Sequence, residues 1–314
     1  MGIAVIHIGA SKTATTTLQQ NVFERLEGIS YLGKPGPHER DRTVVGFSNE
    51  DSALLERTVE AMVAGRPCAR EDIETLRATI EKLKTRDAPV VYSNELLAEN
   101  KFLSFAAIAA GLKDIFGPSE LLVTVRDPQT ALRSAYMHEI LRFPDSYLCF
   151  SKWLDDAIAN PRRINRHAES LEQYRYALML EQFKAVFERI TILRYEDLVA
   201  NQARFSAALA RLLGADPKEI DGFLALPPKN PTRNELFYRY RRLVNKFCSL
   251  VPFLNLSFSM ARRLDAAIER FTEMLPKKSI ALSERDRARI AQFFPYPDEQ
   301  DWGLATTEET RCDN

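Results

Sequence analysis

Net charge is absent from this chain: 43 Lys and Arg balance 43 Asp and Glu over 314 residues. A neutral molecule has no overall field to gather nucleic acid, so any anion must be held locally. Cysteine and histidine are scarce, four of each. Cys68, Cys149, Cys248 and Cys312 show no C-x-x-C spacing, and the histidines show no metal-ligand pattern. Reduced thiols, no bound metal and a cytoplasmic setting are therefore expected. Long apolar runs are missing too. The longest, Leu243 to Leu256, is interrupted by Asn245, Lys246 and Pro252 and is not expected to span a bilayer, with peripheral membrane contact left open. The first apolar run is too short for a secretory leader. Neither an internal repeat nor a linker divides the sequence, so one domain is expected over residues 1–302, with a frayed tail over 303–314.

What is present is concentrated in one stretch, Gly9-Ala10-Ser11-Lys12-Thr13-Ala14-Thr15-Thr16-Thr17-Leu18-Gln19. It follows an apolar run, Ile3 to Ile8, that reads as a buried strand. Leu18, Val22, Phe23 and Leu26 then recur at helical spacing. A strand, a tight loop with a lysine and a helix opening on hydroxyl residues make a phosphate cradle. The first turn of a helix has unpartnered N–H groups, and its dipole puts partial positive charge there. Lys12 adds a full charge, and Thr13, Thr15, Thr16 and Thr17 add hydroxyls. The other reading is a threonine-rich loop that only caps a core helix. The spacing differs from the triphosphate loop G-x-x-x-x-G-K-[ST], because Lys12 comes three residues after Gly9 and no Gly-Lys pair occurs. The order Lys-Thr-Ala-Thr-Thr-Thr-Leu-Gln instead resembles the 5′-phosphosulfate loop of sulfotransferases, commonly Lys-Thr-Gly-Thr-Thr, with Ala14 where the glycine usually stands. The resemblance implies 3′-phosphoadenosine 5′-phosphosulfate (PAPS) as co-substrate, held by Ser11 through Thr17.

A second apolar run, Glu120 to Val125, leads into Arg126-Asp127-Pro128 and then a helical pattern through Ala131, Leu132, Ala135, Tyr136 and Ile140. Pro128 suits the first helical turn, where its missing N–H costs nothing. Arg126, with Ser134 about two turns further on, resembles the 3′-phosphate loop of the same family, a guanidinium fork and a hydroxyl donor. A third piece, Ile190 to Leu198, reads as a strand ending in Tyr-Glu-Asp-Leu, preceded by one helix with Leu171, Tyr174, Leu178, Phe183 and Phe187 on its apolar stripe. That tetrapeptide also closes a late strand in sulfotransferases; its carboxylates are expected to cap the next element or pair with arginines. Strands alternate with helices throughout, including helices near 52–63, 71–84 and 201–213 and a strand at Pro89 to Ser93. The expected fold is α/β, a central parallel sheet flanked by helices in the P-loop-like sulfotransferase manner, with a helical C-terminal portion.

Sulfuryl transfer should follow the phosphoryl pattern of in-line attack, with charge on the leaving oxygen held by preorganised donors. Lys12 fills that role, and a sulfuryl group carries less charge than a phosphoryl group, so no metal is called for. Glu95 is assigned as the base because it lies just past a strand's C-terminal end, where open α/β sheets gather ligands; the alternative is a carboxylate that caps a helix at Leu96 and Leu97. Glu27, His38 and Glu39, after the first helix, are other candidates. His7 should face the core or the phosphate loop, and His138 either substrate or solvent. Arginine clusters at Arg162, Arg163 and Arg166 and at Arg239, Arg241, Arg242 and Lys246 are solvated faces or grips for an anionic glycan or lipid headgroup. Lys229 to Asn234 is a candidate lid. The C-terminal third lacks the Arg-Lys-Gly segment of cytosolic arylsulfotransferases, which favours a carbohydrate or glycolipid-type acceptor. A P-loop nucleotide kinase and a non-catalytic nucleotide-binding regulator are the competing readings.

Overall fold

The structure, a computed structural model, describes residues 2–33, 44–86, 88–98, 104–143, 145–161, 170–226, 233–250, 258–276 and 280–296. In chain order these form β1 (Ala4–Gly9), α1 (Thr15–Thr17) running on as a π-helix over Leu18–Phe23, β2 (Ser30–Tyr31), α2 (Asn49–Val63), α3 (Arg70–Lys84) and β3 (Val90–Ser93). After a 3₁₀ turn at Glu95–Ala98 come α4 (Phe105–Phe116), β4 (Ser119–Val125), α5 (Pro128–Arg142) and α6 (Phe150–Ala159). A second 3₁₀ turn at Leu171–Tyr174 precedes α7 (Tyr176–Lys184), β5 (Ile190–Arg194) and α8 (Tyr195–Ala200). The rest is helical: α9 (Gln202–Leu213), α10 (Pro217–Leu224), α11 (Glu235–Leu250), α12 (Phe258–Glu273) and α13 (Glu284–Phe293). His38, Glu39, Arg162, Arg163, Arg166, Lys229 to Thr232 and the 303–314 tail lie outside the described residues.

Five parallel strands make one sheet in the order β2-β3-β1-β4-β5. β1 is central and buried along its whole length, which is why it reads as an unbroken apolar run rather than an alternating one. Alternation reappears in which core each side chain joins. Ala4, Ile6 and Ile8 pack with residues of α2, α3, α4, α5 and α7 on one face. Val5 packs on the other face with Leu18, Val22 and Phe23 of the π-helix and with Phe205, Leu209 and Leu213 of α9. The expected α/β architecture with a helical C-terminal portion is thus observed.

Local signals place most boundaries. The Asp127 side chain accepts from the N–H of Thr130 at 3.0 Å and Pro128 opens α5. Asn201 caps α9, and Gly214 ends it in the left-handed region at φ 66°. Ser283 accepts from the N–H of Asp286 at the start of α13. Three readings need correction. Tyr195-Glu196-Asp197-Leu198 is the first turn of α8, not the end of β5, and puts two carboxylates at a helix N-terminus. The single helix expected before β5 breaks at Arg175 (φ −85°, ψ 63°), because Gln173 and Tyr174 turn inward to the phosphate loop. Leu18 to Phe23 winds as a π-helix, with the Glu24 N–H reaching the Gln19 carbonyl at 3.0 Å.

The C-terminal helices are anchored on α5 by one buried amide. Asn245 Nδ2 donates to the carbonyls of Ile140 (2.9 Å), Phe143 (3.1 Å) and Ser146 (2.9 Å), satisfying the end of α5 and the turn after it. Asn245→Ala removes the shared donor from these three carbonyls, of which Phe143 keeps the Ser146 N–H, and should lower the unfolding free energy by about 1–3 kcal/mol. Chemical denaturation of wild type and variant measures this, and an unchanged midpoint would show that the clamp contributes nothing.

Candidate functional site

The loops after β1, β3 and β4 leave the same carboxyl edge of the sheet. From β1 the chain crosses to β2, beyond β3; from β3 it crosses to β4, on the other side of β1. Such a reversal leaves a crevice at the strand ends, where open α/β sheets bind ligands. Gly9 closes β1 there because nothing larger fits: a Cβ would stand 2.4 Å from Thr124 Oγ1 and 2.9 Å from Thr15 Cγ2. Two of the next residues take left-handed backbone, Lys12 at φ 69° and Ala14 at φ 70°. Side chains then alternate: Ser11, Thr13 and Thr15 are buried, while Lys12, Ala14, Thr16 and Thr17 are partly exposed. Ala14 therefore holds the conformation that a glycine at this position adopts without cost, at about 1–2 kcal/mol for its Cβ.

Beneath the loop runs a chain of buried hydrogen bonds whose direction can be worked out. Thr13 Oγ1 lies 2.6 Å from the Ala10 carbonyl, which only accepts, so the Thr13 hydrogen is there. Thr124 Oγ1, 2.9 Å from Thr13 Oγ1, must then donate to it. With its hydrogen committed, Thr124 accepts from His7 Nε2 at 3.2 Å. His7 is fully buried, and desolvation lowers its pKa to about 3, so the ring is neutral with a single N–H, on Nε2. Bare Nδ1 accepts from Ser93 Oγ at 2.7 Å, and Ser93 accepts from the Gln19 amide at 2.9 Å. One tautomer satisfies every member. The chain ties the ends of β1, β3 and β4 to both the phosphate loop and the π-helix. A second clamp comes from the opposite side: the Ser11 N–H donates to Gln173 Oε1 at 2.7 Å, and Tyr174 Oη donates to the Ser11 carbonyl at 3.1 Å.

Arg126 meets the same loop from the end of β4. Its Nη1 donates to the Lys12 carbonyl at 2.9 Å, and its guanidinium lies 4.1 Å from the centre of the Tyr195 ring. Its Nε is buried with no hydrogen-bond partner. The neighbouring backbone is fixed as well, since the N–H of Arg126 meets Tyr176 Oη at 3.3 Å and that of Asp127 meets Glu196 Oε1 at 2.9 Å. Glu196 thus braces the Arg126 turn rather than an arginine. Ser134 is partly exposed on α5, and His138 stands one helical turn further along. His138 is held down to about pKa 4 by burial first and then by the charges of Lys12 and Arg142, which brings this face of α5 within the field of Lys12.

Glu95 opens the 3₁₀ turn after β3 and is partly exposed. The capping role belongs to its neighbour: Asn94 Oδ1 accepts from the Leu96 N–H at 3.0 Å. Burial raises the Tyr31 phenol, and the charges of Glu24, Tyr92 and Glu95 raise it further, so the carboxylates of Glu24 and Glu95 both bear on one buried hydroxyl. Glu24, Gln173, Tyr174 and Tyr195 escape sequence reasoning. For Tyr195 the signal is its aromatic ring at the start of the Tyr-Glu-Asp-Leu segment; for the others only spatial proximity reveals them. Among the described residues no group of three or more His, Cys, Asp or Glu side chains could hold a metal ion.

No family model matches this chain, and no curated protein matches it. Among solved structures it is similar to a sulfotransferase from Alicyclobacillus acidocaldarius, at 18% identity over 80% of this chain and 96% of that one, with TM-score 0.43. The sulfotransferase domain of the Synechococcus PCC 7002 olefin synthase shares 14% identity over 95% of this chain and 96% of its own, with TM-score 0.43. Mouse sulfotransferase SULT7A1 complexed with PAP shares 10% identity over 87% and 89%, with TM-score 0.41. All three are sulfotransferase structures. These likenesses concern the path of the chain, and the chemistry of the site is read from its own residues.

The buried imidazole makes the site acid-sensitive in a definite sense. His7 binds no proton in the folded chain until far below the 6.5 at which it does so when unfolded. Its neutral state therefore supports folding fully above pH 6.5, and that support is lost as pH falls toward about 3. His138 adds the same sign of dependence over a narrower window, down to about 4. Between pH 6.5 and 5, unfolding free energies of wild type should fall by up to about 1.4 kcal/mol per pH unit for each such histidine. His7→Gln should lose one histidine's share of that slope; identical slopes would show that His7 is not held neutral.

Proposed function

We propose that this chain is a sulfotransferase that moves the sulfuryl group of PAPS to a hydroxyl, or amine, of a carbohydrate or glycolipid-type acceptor. The observation that carries the reading is the loop itself. A lysine and the following left-handed residue sit at the mouth of the central strand, backed by a buried network and clamped from two sides. The residues present fit an anionic co-substrate with two separate phosphate groups. The loop backbone from Lys12 to Thr17 with the Lys12 charge suits one, and Arg126, whose buried Nε has no partner in the protein, suits the other.

In this reading Lys12 stabilises the oxygen that bridges phosphate and sulfur as charge builds on it, and the first-turn N–H groups of α1 hold the 5′-phosphate. Arg126 and Ser134 take the 3′-phosphate. Glu95 accepts the proton of the acceptor hydroxyl. The acceptor oxygen forms its bond to sulfur as the bond from sulfur to the 5′-phosphate oxygen breaks, leaving 3′-phosphoadenosine 5′-phosphate (PAP) and a sulfate ester. His138 is neutral at physiological pH, but at a pKa of about 4 it is a weak base, so Glu95 is preferred.

Calorimetry with PAP and with ATP–Mg²⁺ tests the ligand class. PAP should bind without metal, and Arg126→Ala should lose most of the preference for PAP over AMP, about one to two decades for one charge-assisted hydrogen bond. Tight ATP–Mg²⁺ binding with no response to PAP would turn the reading to a kinase.

Turnover separates the roles of the two catalytic residues. Lys12→Ala should slow PAPS-dependent transfer on the order of 10²–10³-fold. Glu95→Gln should slow it about 10²–10⁴-fold and remove the acidic limb of the pH profile while PAP binding persists. A Glu95→Gln enzyme of full activity would move the base elsewhere, with His38, Glu39 and His138 next to be tested.

A further inference from the structure

Exposed apolar side chains gather on the C-terminal helices. Of the twelve large apolar residues exposed among the described residues, seven lie between Leu236 and Met274. On α11 four of them, Leu236, Leu243, Phe247 and Leu250, fall at intervals of seven, four and three residues and so form a single stripe. The opposite side of that helix is held down: Phe237, Tyr238 and Asn245 are buried, and Asn245 clamps the end of α5. The clamp fixes the rotation of α11 and therefore keeps the stripe outward. On α12, Leu264, Phe271 and Met274 are exposed to between 47% and 76%. Arg241 and Tyr240 bond Asp265 at 2.9 and 3.2 Å, which binds the two helices together with these residues still open to solvent.

Charge indicates what covers this face. Residues 233–276 contain eight Lys and Arg against four Asp and Glu, in a chain whose total is zero. Asp265 and Glu269 are engaged with Arg241 and Arg233, on the contact between the helices. Arg239, which pairs with Glu235 one turn back but stays 66% exposed, forms with Arg242 and Lys246 a second stripe along α11, at intervals of three and four residues, flanking the apolar one. A second copy of the chain docked on this face would bring two such basic stripes together. An anionic surface would neutralise them. No helix among the described residues is long and apolar enough to cross a membrane. An apolar stripe flanked by cations suits a helix lying in the plane of the interface.

We propose that α11 and α12 form a docking face for an anionic lipid bilayer, with the stripe from Leu236 to Leu250 entering the headgroup region and Arg239, Arg242 and Lys246 meeting lipid phosphates and carboxylates. This placement does not depend on which ligand the phosphate loop takes. The full chain should sediment with vesicles of 30% phosphatidylserine in phosphatidylcholine and bind pure phosphatidylcholine far more weakly. Each basic residue near such a surface is worth about fivefold in binding. Arg239→Glu, Arg242→Glu and Lys246→Glu combined should therefore weaken binding at least about a hundredfold, and high salt should do the same to wild type. Phe247→Ser with Leu250→Ser should reduce binding even at low salt. All five positions are partly or fully exposed, so circular dichroism and melting should confirm that the variants remain folded. Equal binding to the two vesicle types, or unchanged binding by the charge variant, overturns the proposal. So does a concentration-dependent dimer that Phe247→Ser abolishes while wild type ignores vesicles, because the face would then belong to a second copy.

Discussion

The imidazole of His7 lies where three parallel strands end, and it is bonded on both sides. It takes the hydrogen of Ser93 on β3 and gives its own to Thr124 on β4, so it joins two hydroxyls that are bonded onward to Gln19 and Thr13. Because each member between the Gln19 amide, which only gives, and the Ala10 carbonyl, which only takes, gives one hydrogen and takes one, no link can be reversed without stranding another. The loop owes its shape to this. Thr13 is drawn down toward the sheet, so its neighbours Lys12 and Ala14 turn out, and both adopt left-handed backbone to do so. The outward position of the lysine is thus a consequence of where a histidine can be kept neutral.

Positive charge at the crevice is arranged rather than merely abundant. The Lys12 carbonyl is held by the Arg126 guanidinium, so the residues that carry the two cations are linked through backbone. Tyr195 supports the guanidinium from its face, and Glu196 secures the turn that carries it. Burial, reinforced by the charges of Lys12 and Arg142, keeps His138 without a proton. Two carboxylates, Glu24 and Glu95, act together on the buried phenol of Tyr31.

Much of this was legible in the sequence for a physical reason. Parallel strands buried on both faces appear as unbroken apolar runs, and β1, β3 and β4 were each visible as such a run followed by polar residues. The starts of α5 at Pro128 and of α9 near residue 201 were equally visible, because a helix start is settled within a few residues. What could not be read was whatever depends on a partner far along the chain. Gln173 and Tyr174 look like one more turn of an apolar helix, yet contact with Ser11 breaks that helix. The π-winding after α1 has no periodicity that a short apolar pattern would betray, since Leu18, Val22 and Phe23 are buried in either helix. Tyr195 to Leu198 follows a strand directly, and only the packing of Tyr195 against Arg126 shows that the chain has already turned helical.

The span of the Ser11 clamp has a consequence for synthesis. Residues 9–19 leave the ribosome before the groups that shape them exist. Thr124 must be made before the strand-end chain can close, and Gln173 and Tyr174 before Ser11 is held. At roughly 5–20 residues per second, the loop waits on the order of ten seconds or more as an unshaped, threonine-rich segment. A nascent chain that ends before Gln173 therefore carries the whole of residues 9–19 without the clamp on Ser11. Until that point Lys12 stands on a loop that is not yet braced from the side of Gln173 and Tyr174.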